Sequence, residues 1–191
     1  MKTKRDISQK YWENRYIDRG HTSGAGSYGN ILEQKIKVID NFIKDKESIK
    51  SILDVGCGDL NTAFNFLPLF PKAKYVGIDI AERWIKFIKE NKQKDSPLNF
   101  KCITDSIFDM PSDLVLCLDV LFHVMDDKDY DNMLKSLKRS WKRWLVISTY
   151  NKNNSIRSNY IKVRGFKPEY FGNCEEIILP QENYRLYIFK K

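Results

Sequence analysis

Apolar positions along the 191-residue chain fall into short dense runs, separated by segments in which they recur every three or four residues. The runs are SILDV (51–55), KYVGI (74–78), LNFKCI (98–103), DLVLCLDV (113–120) and WLVIST (144–149), each bounded by turn or helix signals. Such near-continuous runs mark strands buried on both faces of a sheet. Between them, Leu32, Ile36, Ile39 and Ile43 share one face of an amphipathic helix predicted over 31–44. Ala81, Trp84, Ile85 and Ile88 define a second helix, and Tyr130, Met133, Leu134 and Leu137 a third, capped by Asp126 or Asp127. Strands alternating with helices predict a parallel sheet joined by right-handed crossovers. CEEIILP (174–180) and NYRLYIFKK (183–191) lie too close together for a crossover and should pair antiparallel. The expected fold class is α/β: a mostly parallel sheet, helices on both faces, and a C-terminal antiparallel β-hairpin.

Two segments stand outside this alternation. Residues 1–30 are polar and aromatic and end in HTSGAGSYGN (21–30), whose glycines Gly24, Gly26 and Gly29 favour neither helix nor strand. This divides the chain into an N-terminal flap, 1–30, and a main domain, 31–191. Residues 148–173 are polar without a long helical pattern and read as a loop carrying Tyr150, Arg157, Tyr160 and Arg164.

Composition bounds the function. Apolar residues make up 42% and charged residues 30%, as in globular domains with a real core. The net charge of +8 invites a nucleic-acid partner, but it comes from 24 scattered lysines and 9 arginines with no basic block, so nucleic acid is disfavoured. Cys57, Cys102, Cys117 and Cys174 form no CxxC pair, which argues against a zinc ribbon or disulfide framework. No apolar run approaches the ~20 residues of a membrane span. The N-terminus has no apolar secretion signal, so a cytoplasmic location without membrane insertion is expected.

SILDVGCGDL (51–60) carries the chemistry. A strand delivers Asp54 and then Gly56 and Gly58, a turn that lets a ligand approach the backbone ahead of the next helix N-terminus. Twenty-three residues after Gly56, Asp79 ends the second strand, where a carboxylate accepts hydrogen bonds from both ribose hydroxyls of an adenosine. A tight turn without a ligand is the plain alternative for the glycines alone. A dinucleotide GxGxxG fingerprint needs glycine at 61, where Asn61 stands, so a nicotinamide oxidoreductase is the runner-up.

The (D/E)xGxG turn, the acid ending strand two and the closing hairpin resemble the class I, seven-stranded, Rossmann-like S-adenosylmethionine-dependent methyltransferases over roughly residues 31–191. LDVGCGDL resembles motif I, YVGIDIAERWIKFIKE motif II, and LVLCLDVLFHV motif IV. The resemblance implies S-adenosyl-L-methionine as cofactor and S-adenosyl-L-homocysteine as product. It implies that Asp54, Gly56 and Gly58 surround the amino-acid end, Asp79 holds the ribose and Ile80 packs on the adenine. Asp105 would accept from the adenine amino group beside Ser106 or Ile107, and Leu118 and Asp119 would line the methionyl portion. The chain departs from the family at Leu60, where many members carry a third glycine. The pieces YWENRY, SGAGSYG and LDVLFHVMDD also resemble small methyltransferases of bacterial surface-polysaccharide (capsule) gene clusters. There the flap, with Tyr28, Tyr11, Trp12 and Tyr16, would close over the cofactor and exclude water.

Methyl transfer to a hydroxyl benefits from a base near the acceptor. His123, just past strand four, is the candidate, since an ordinary imidazole pKa near 6.5 suits neutral pH; His21 lies in the flap loop. Tyr150, Arg157 and Arg164 are candidate acceptor ligands, the arginines for a phosphate or carboxylate. Asp126, Asp127, Asp129 and Asp131 read as helix-start acids rather than a metal site. The acceptor is expected to be a small molecule or glycan precursor, methylated on oxygen. A basic RNA-binding or RNA-modifying protein is the remaining alternative.

Overall fold

The computed structural model describes residues 3–18, 22–91, 98–102, 106–151, 155–158, 160–179 and 184–191, with backbone alone for 98–102 and 155–157. Five strands run parallel: β1 (Ser51–Val55), β2 (Lys74–Asp79), β3 (Leu98–Cys102), β4 (Ser112–Leu118) and β5 (Trp141–Tyr150). A short hairpin, β6 (Ser155–Ser158) and β7 (Ile161–Val163), follows β5 as a separate two-stranded sheet. β8 (Cys174–Ile178) and β9 (Tyr184–Lys190) pair antiparallel, and β9 lies antiparallel to β5. The main sheet therefore has seven strands in the order β3-β2-β1-β4-β5-β9-β8. This is the mostly parallel, Rossmann-like sheet with a C-terminal hairpin that the patterning predicts.

Alternation along the strands feeds two cores. Ile52, Leu114, Leu116, Val146, Leu186 and Ile188 meet α2 (Gly29–Phe42), α3 (Asn61–Phe66) and α4 (Glu82–Asn91) on one face. Leu53, Val55, Val115, Cys117, Leu145 and Ile147 meet α5 (Asp127–Ser140) on the other. Both strand faces are thus covered, which explains why the strands read as unbroken apolar runs.

The N-terminal segment is helical over much of its length. Lys4–Asp18 form a helix, α1, that packs on α4 and sends Tyr16, 3% exposed, into the first core against Trp84. The segment after β5 departs from the expected loop, since it contains the β6–β7 hairpin. β4 ends at Leu118, before the predicted Val120, because Asp119 takes a left-handed backbone (φ 65) and a 3-10 turn follows at Leu121–His123.

Leu60 resolves the missing third glycine. It caps α3 in the left-handed region (φ 70, ψ 2), the conformation a glycine adopts freely, while its side chain is fully buried. For a non-glycine residue that conformation costs about 1–2 kcal/mol, here offset by burial of the leucine. Leu60→Ala and Leu60→Gly both remove the side chain, but only glycine relieves the backbone. Chemical denaturation should show both variants destabilised, with Leu60→Gly the more stable of the two by about 1 kcal/mol. Equal stabilities would mean the left-handed cap is unstrained.

Candidate active site

A cleft opens at the C-terminal ends of β1, β2 and β4, the place where open α/β sheets hold their ligands. It encloses about 970 Å³, its open mouth included, and α1 lies over it. Its floor is the glycine turn. Gly56 N and Cys57 N both donate to the Ile78 carbonyl (2.7 and 3.1 Å), and the Trp84 indole donates to the Gly58 carbonyl (2.7 Å), so the turn is pinned to β2 and α4. Gly56 and Gly58 have φ of 75° and 53°, and a Cβ on Gly56 would meet Val120 at 2.3 Å. Only glycine leaves this floor open.

Asp79 stands at the centre of the cleft, with Oδ2 accepting from Gly58 N (3.0 Å) and Oδ1 from Ala81 N (2.9 Å). Burial raises its pKa, and the backbone donors at Ala81 and Gly58 oppose that shift. Each carboxylate oxygen keeps lone-pair capacity for a further donor.

The N-terminal arm is locked to this floor by two carboxylates. Asp59 accepts from Ser23 N (2.6 Å), Asn61 N (3.0 Å) and the Tyr28 hydroxyl, while Asp59 N donates to Ser23 Oγ (2.9 Å). Asp119 accepts from Lys35 Nζ at 2.6 Å and from Ser148 Oγ at 2.6 Å, and Lys35 also donates to the Gly26 carbonyl (2.8 Å). Lys35 is 1% exposed, and burial lowers its pKa against the attraction of Asp119. The contact is tight: a Cβ on Gly26 would fall 1.8 Å from Asp119 Oδ2. At the other end of the cleft, Arg5 of α1 pairs with Asp129 of α5 and donates to Ser106 Oγ (3.2 Å), latching the helix down.

His123 lies on the cleft wall, edge-on to Trp12 with ring centroids 4.7 Å apart. Its Nδ1 is 2.8 Å from the Tyr160 carbonyl, which can only accept. Nδ1 therefore carries the proton and Nε2 the lone pair. Burial pushes its pKa down to about 4, against the Tyr160 bond and the charge of Asp119, which pull it up. The imidazole is thus neutral at pH 7 because it is desolvated, not because of an ordinary pKa near 6.5.

Of the sequence-predicted residues, Gly56, Asp79, Ile80, Ser106, Leu118, Asp119 and His123 line the cleft together. Gly58 supports the turn from outside the wall. Several others are placed differently. Asp54 is buried against the Tyr75 hydroxyl (2.7 Å), and burial raises its pKa to about 6. Tyr28 is 39% exposed and bonds Asp59. Tyr11 stacks on Tyr160 (4.1 Å, 11°) rather than on the cleft wall, where Trp12 and Tyr16 stand. Ile107 is 59% exposed. Tyr150 packs between Phe122 and Tyr184. Arg164, expected to face the acceptor, is occupied: it bonds Asp127 (2.8 Å) and the Val124 carbonyl (2.7 Å) and lies over the Tyr130 ring. Asp105, His21 and the Arg157 side chain lie outside the described residues. Asp126 caps α5 by accepting from Lys128 N and Asp129 N.

The cleft is mixed in character. Ile80, Phe108, Met125 and Met133 supply apolar surface, and Asp79 a carboxylate able to accept further hydrogen bonds. Ser8 Oγ, buried on the wall, has no hydrogen-bond partner among the described residues. Among the described residues no cluster of three or more His, Cys, Asp or Glu side chains is placed to hold a metal, and no helix is long and apolar enough to cross a membrane.

Sheet order and the glycine turn define a Rossmann-like α/β fold of the methyltransferase type. The chain belongs to the family described as "Methyltransferase domain", whose sequence profile matches residues 46–188. It is an S-adenosylmethionine-dependent methyltransferase, with that cofactor as methyl donor. Magnesium protoporphyrin IX methyltransferase from Synechocystis PCC 6803, solved with bound S-adenosylmethionine, is similar (TM-score 0.67, 16% identity, covering 98% of this chain and 97% of that one). So is the N-methyltransferase NodS from Bradyrhizobium japonicum (TM-score 0.69, 12% identity, 96% and 97%). The 1,6-didemethyltoxoflavin-N1-methyltransferase from Burkholderia thailandensis gives TM-score 0.71 at 12% identity over 100% and 91%. At such identities the likeness establishes the fold. Comparison with curated protein sequences found no match.

The Lys35–Asp119 pair is the feature that the patterning concealed, although Lys35 sits three residues after Leu32 and four before Ile39 on the buried stripe of α2. Lys35→Met should destabilise the fold by about 1–3 kcal/mol, because it leaves the part-buried Asp119 carboxylate without its counter-charge. Adding Asp119→Asn, which tolerates the left-handed backbone, should recover part of that loss in a double-mutant cycle read by denaturation. Additive losses would show the pair to be uncoupled.

Proposed function

We propose that the enzyme methylates a hydroxyl oxygen of a small, anionic acceptor, a sugar, nucleotide-linked or phosphate-type precursor of a bacterial surface polysaccharide, in the cytoplasm, with His123 as the base. The observation that carries the oxygen assignment is the His123 tautomer. With Nδ1 donating to Tyr160, a neutral Nε2 is left to accept the acceptor's proton as the C–O bond forms. The surface-polysaccharide assignment is supported by the YWENRY, SGAGSYG and LDVLFHVMDD segments. Two of the structural neighbours are named for small acceptors, a magnesium protoporphyrin and a toxoflavin precursor, which supports an acceptor of that size class.

When bound, S-adenosylmethionine supplies an electrophilic methyl group on a sulfonium. In this reading Asp79 receives the ribose hydroxyls, Ile80 packs on the adenine, and Ser106, with Asp105, meets its polar edge. Gly56, Leu118 and Asp119 flank the amino-acid end, while Asp54 and Gly58 hold the turn beneath it. Lys35 balances the Asp119 charge, so the carboxylate does not dominate the field around the tail. Trp12 and Tyr16 present ring faces suited to a cation. α1, latched by Arg5, excludes water from the reacting groups.

Calorimetric titration with S-adenosylhomocysteine, NAD and an RNA oligomer should give heat with the first alone; no heat with it would reject the reading, and binding of NAD or RNA instead would favour an oxidoreductase or an RNA-binding protein. Nucleotide sugars and capsule precursors can then be screened for methyl incorporation. With an acceptor in hand, His123→Gln should lower kcat by about 100-fold while S-adenosylhomocysteine affinity stays within about twofold. In kcat/KM the acid limb that His123→Gln removes should fall near pH 4. A limb at pH 6.5 would show that the imidazole is not desolvated in the working enzyme.

A further inference from the structure

The proposed acceptor is anionic, yet the arginine expected to hold it is engaged by Asp127. The other cations around the site are also paired: Arg5 with Asp129, Lys35 with Asp119, and Lys162 with Asp127. Arg15 is different. Among the described residues no carboxylate pairs with it. Its Nε donates to the Thr22 carbonyl (2.7 Å), its Nη1 to the Tyr11 hydroxyl (3.0 Å), and its guanidinium lies 5.6 Å from the Trp12 ring centroid. These contacts fix the plane of the group and use two of its five N–H donors, leaving an Nη2 with no hydrogen bond to a described residue.

Its position is beside Trp12, the ring that abuts His123. Trp12 and Tyr16, its neighbours along α1, line the nucleoside cleft, but Arg15 is outside that wall. Tyr11, which Arg15 bonds, stacks on Tyr160, whose carbonyl accepts from His123. After burial itself, the Arg15 charge is among the influences that keep the His123 imidazole unprotonated, so the two groups share one electrostatic neighbourhood. A planar, oriented guanidinium with free donors beside the base, shielded by aromatic rings, is built for a two-oxygen anion.

We propose that Arg15 is a specificity-determining residue that grips a phosphate or carboxylate of the acceptor through its terminal nitrogens and so presents the acceptor oxygen to His123. This rests on the acceptor reading above. Failure of that reading would appear as missing S-adenosylhomocysteine binding or missing methyl incorporation, neither of which is the readout used here.

The test uses the full chain saturated with S-adenosylhomocysteine and titrated with inorganic phosphate at low ionic strength, followed by NMR or calorimetry. The wild type should bind phosphate, Arg15→Gln should bind it about tenfold more weakly, and Arg15→Lys, which keeps the charge but loses the fork, about threefold more weakly. Both variants should keep S-adenosylhomocysteine affinity within about twofold of the wild type, because Arg15 is off the nucleoside wall. Phosphate binding that is absent in the wild type, or unchanged in Arg15→Gln, overturns the proposal. A loss of S-adenosylhomocysteine affinity in Arg15→Gln also overturns it, since the anion held would then be the cofactor's own carboxylate. Should Arg15→Gln fail to fold, Arg15→Lys decides: phosphate affinity equal to the wild type removes the fork.

Discussion

A buried cation paired with a carboxylate on the cleft wall holds this site together. Lys35 reaches from α2 to the end of β4, and Asp119 waits there in a backbone conformation that non-glycine residues rarely adopt. The buried Lys35 ammonium alone would carry a desolvation cost of several kcal/mol. Together they offset that cost, with the Gly26 carbonyl accepting a second hydrogen bond from the ammonium and Ser148 donating to the carboxylate. Its worth lies in position: it fixes the loop before α2, and with it the whole N-terminal arm, against the strand ends where a ligand must sit.

From that anchor the cleft assembles from two directions. The sheet supplies the glycine turn and Asp79; the arm supplies Trp12, Tyr16, Ser23 and Ser27 on the opposite wall. Asp59 and Asp79 each join neighbouring pieces, Asp59 by bonding the flap loop and the start of α3, Asp79 by bonding the turn and the start of α4. A carboxylate that already organises backbone amides is preorganised for a ligand, because it needs no new ordering when the ligand arrives.

The sheet and its closing hairpin were legible because two-sided burial leaves an unmistakable apolar signature, and SILDVGCGDL with Asp79 located the cleft. α1 was not legible, since only Ser8 and Tyr16 along it are buried and no apolar stripe forms. Lys35 was hidden by its own charge on a buried stripe. The β6–β7 hairpin consists of strands of four and three residues, too short for alternation to register. The Arg164 ion pair with Asp127 was not legible because a sequence does not show which acid folds back to meet a base, whereas the His123 position past β4 followed directly from strand order. His123 differs from expectation in its electrostatics: burial, a tertiary property, sets its proton affinity.

Helix α1 touches two parts of the site at once. Trp12 belongs to the cleft wall and abuts His123, while Tyr11, one residue earlier, is stacked on Tyr160, whose carbonyl accepts from the same imidazole. Any displacement of α1 would therefore disturb the cleft wall and the surroundings of His123 together.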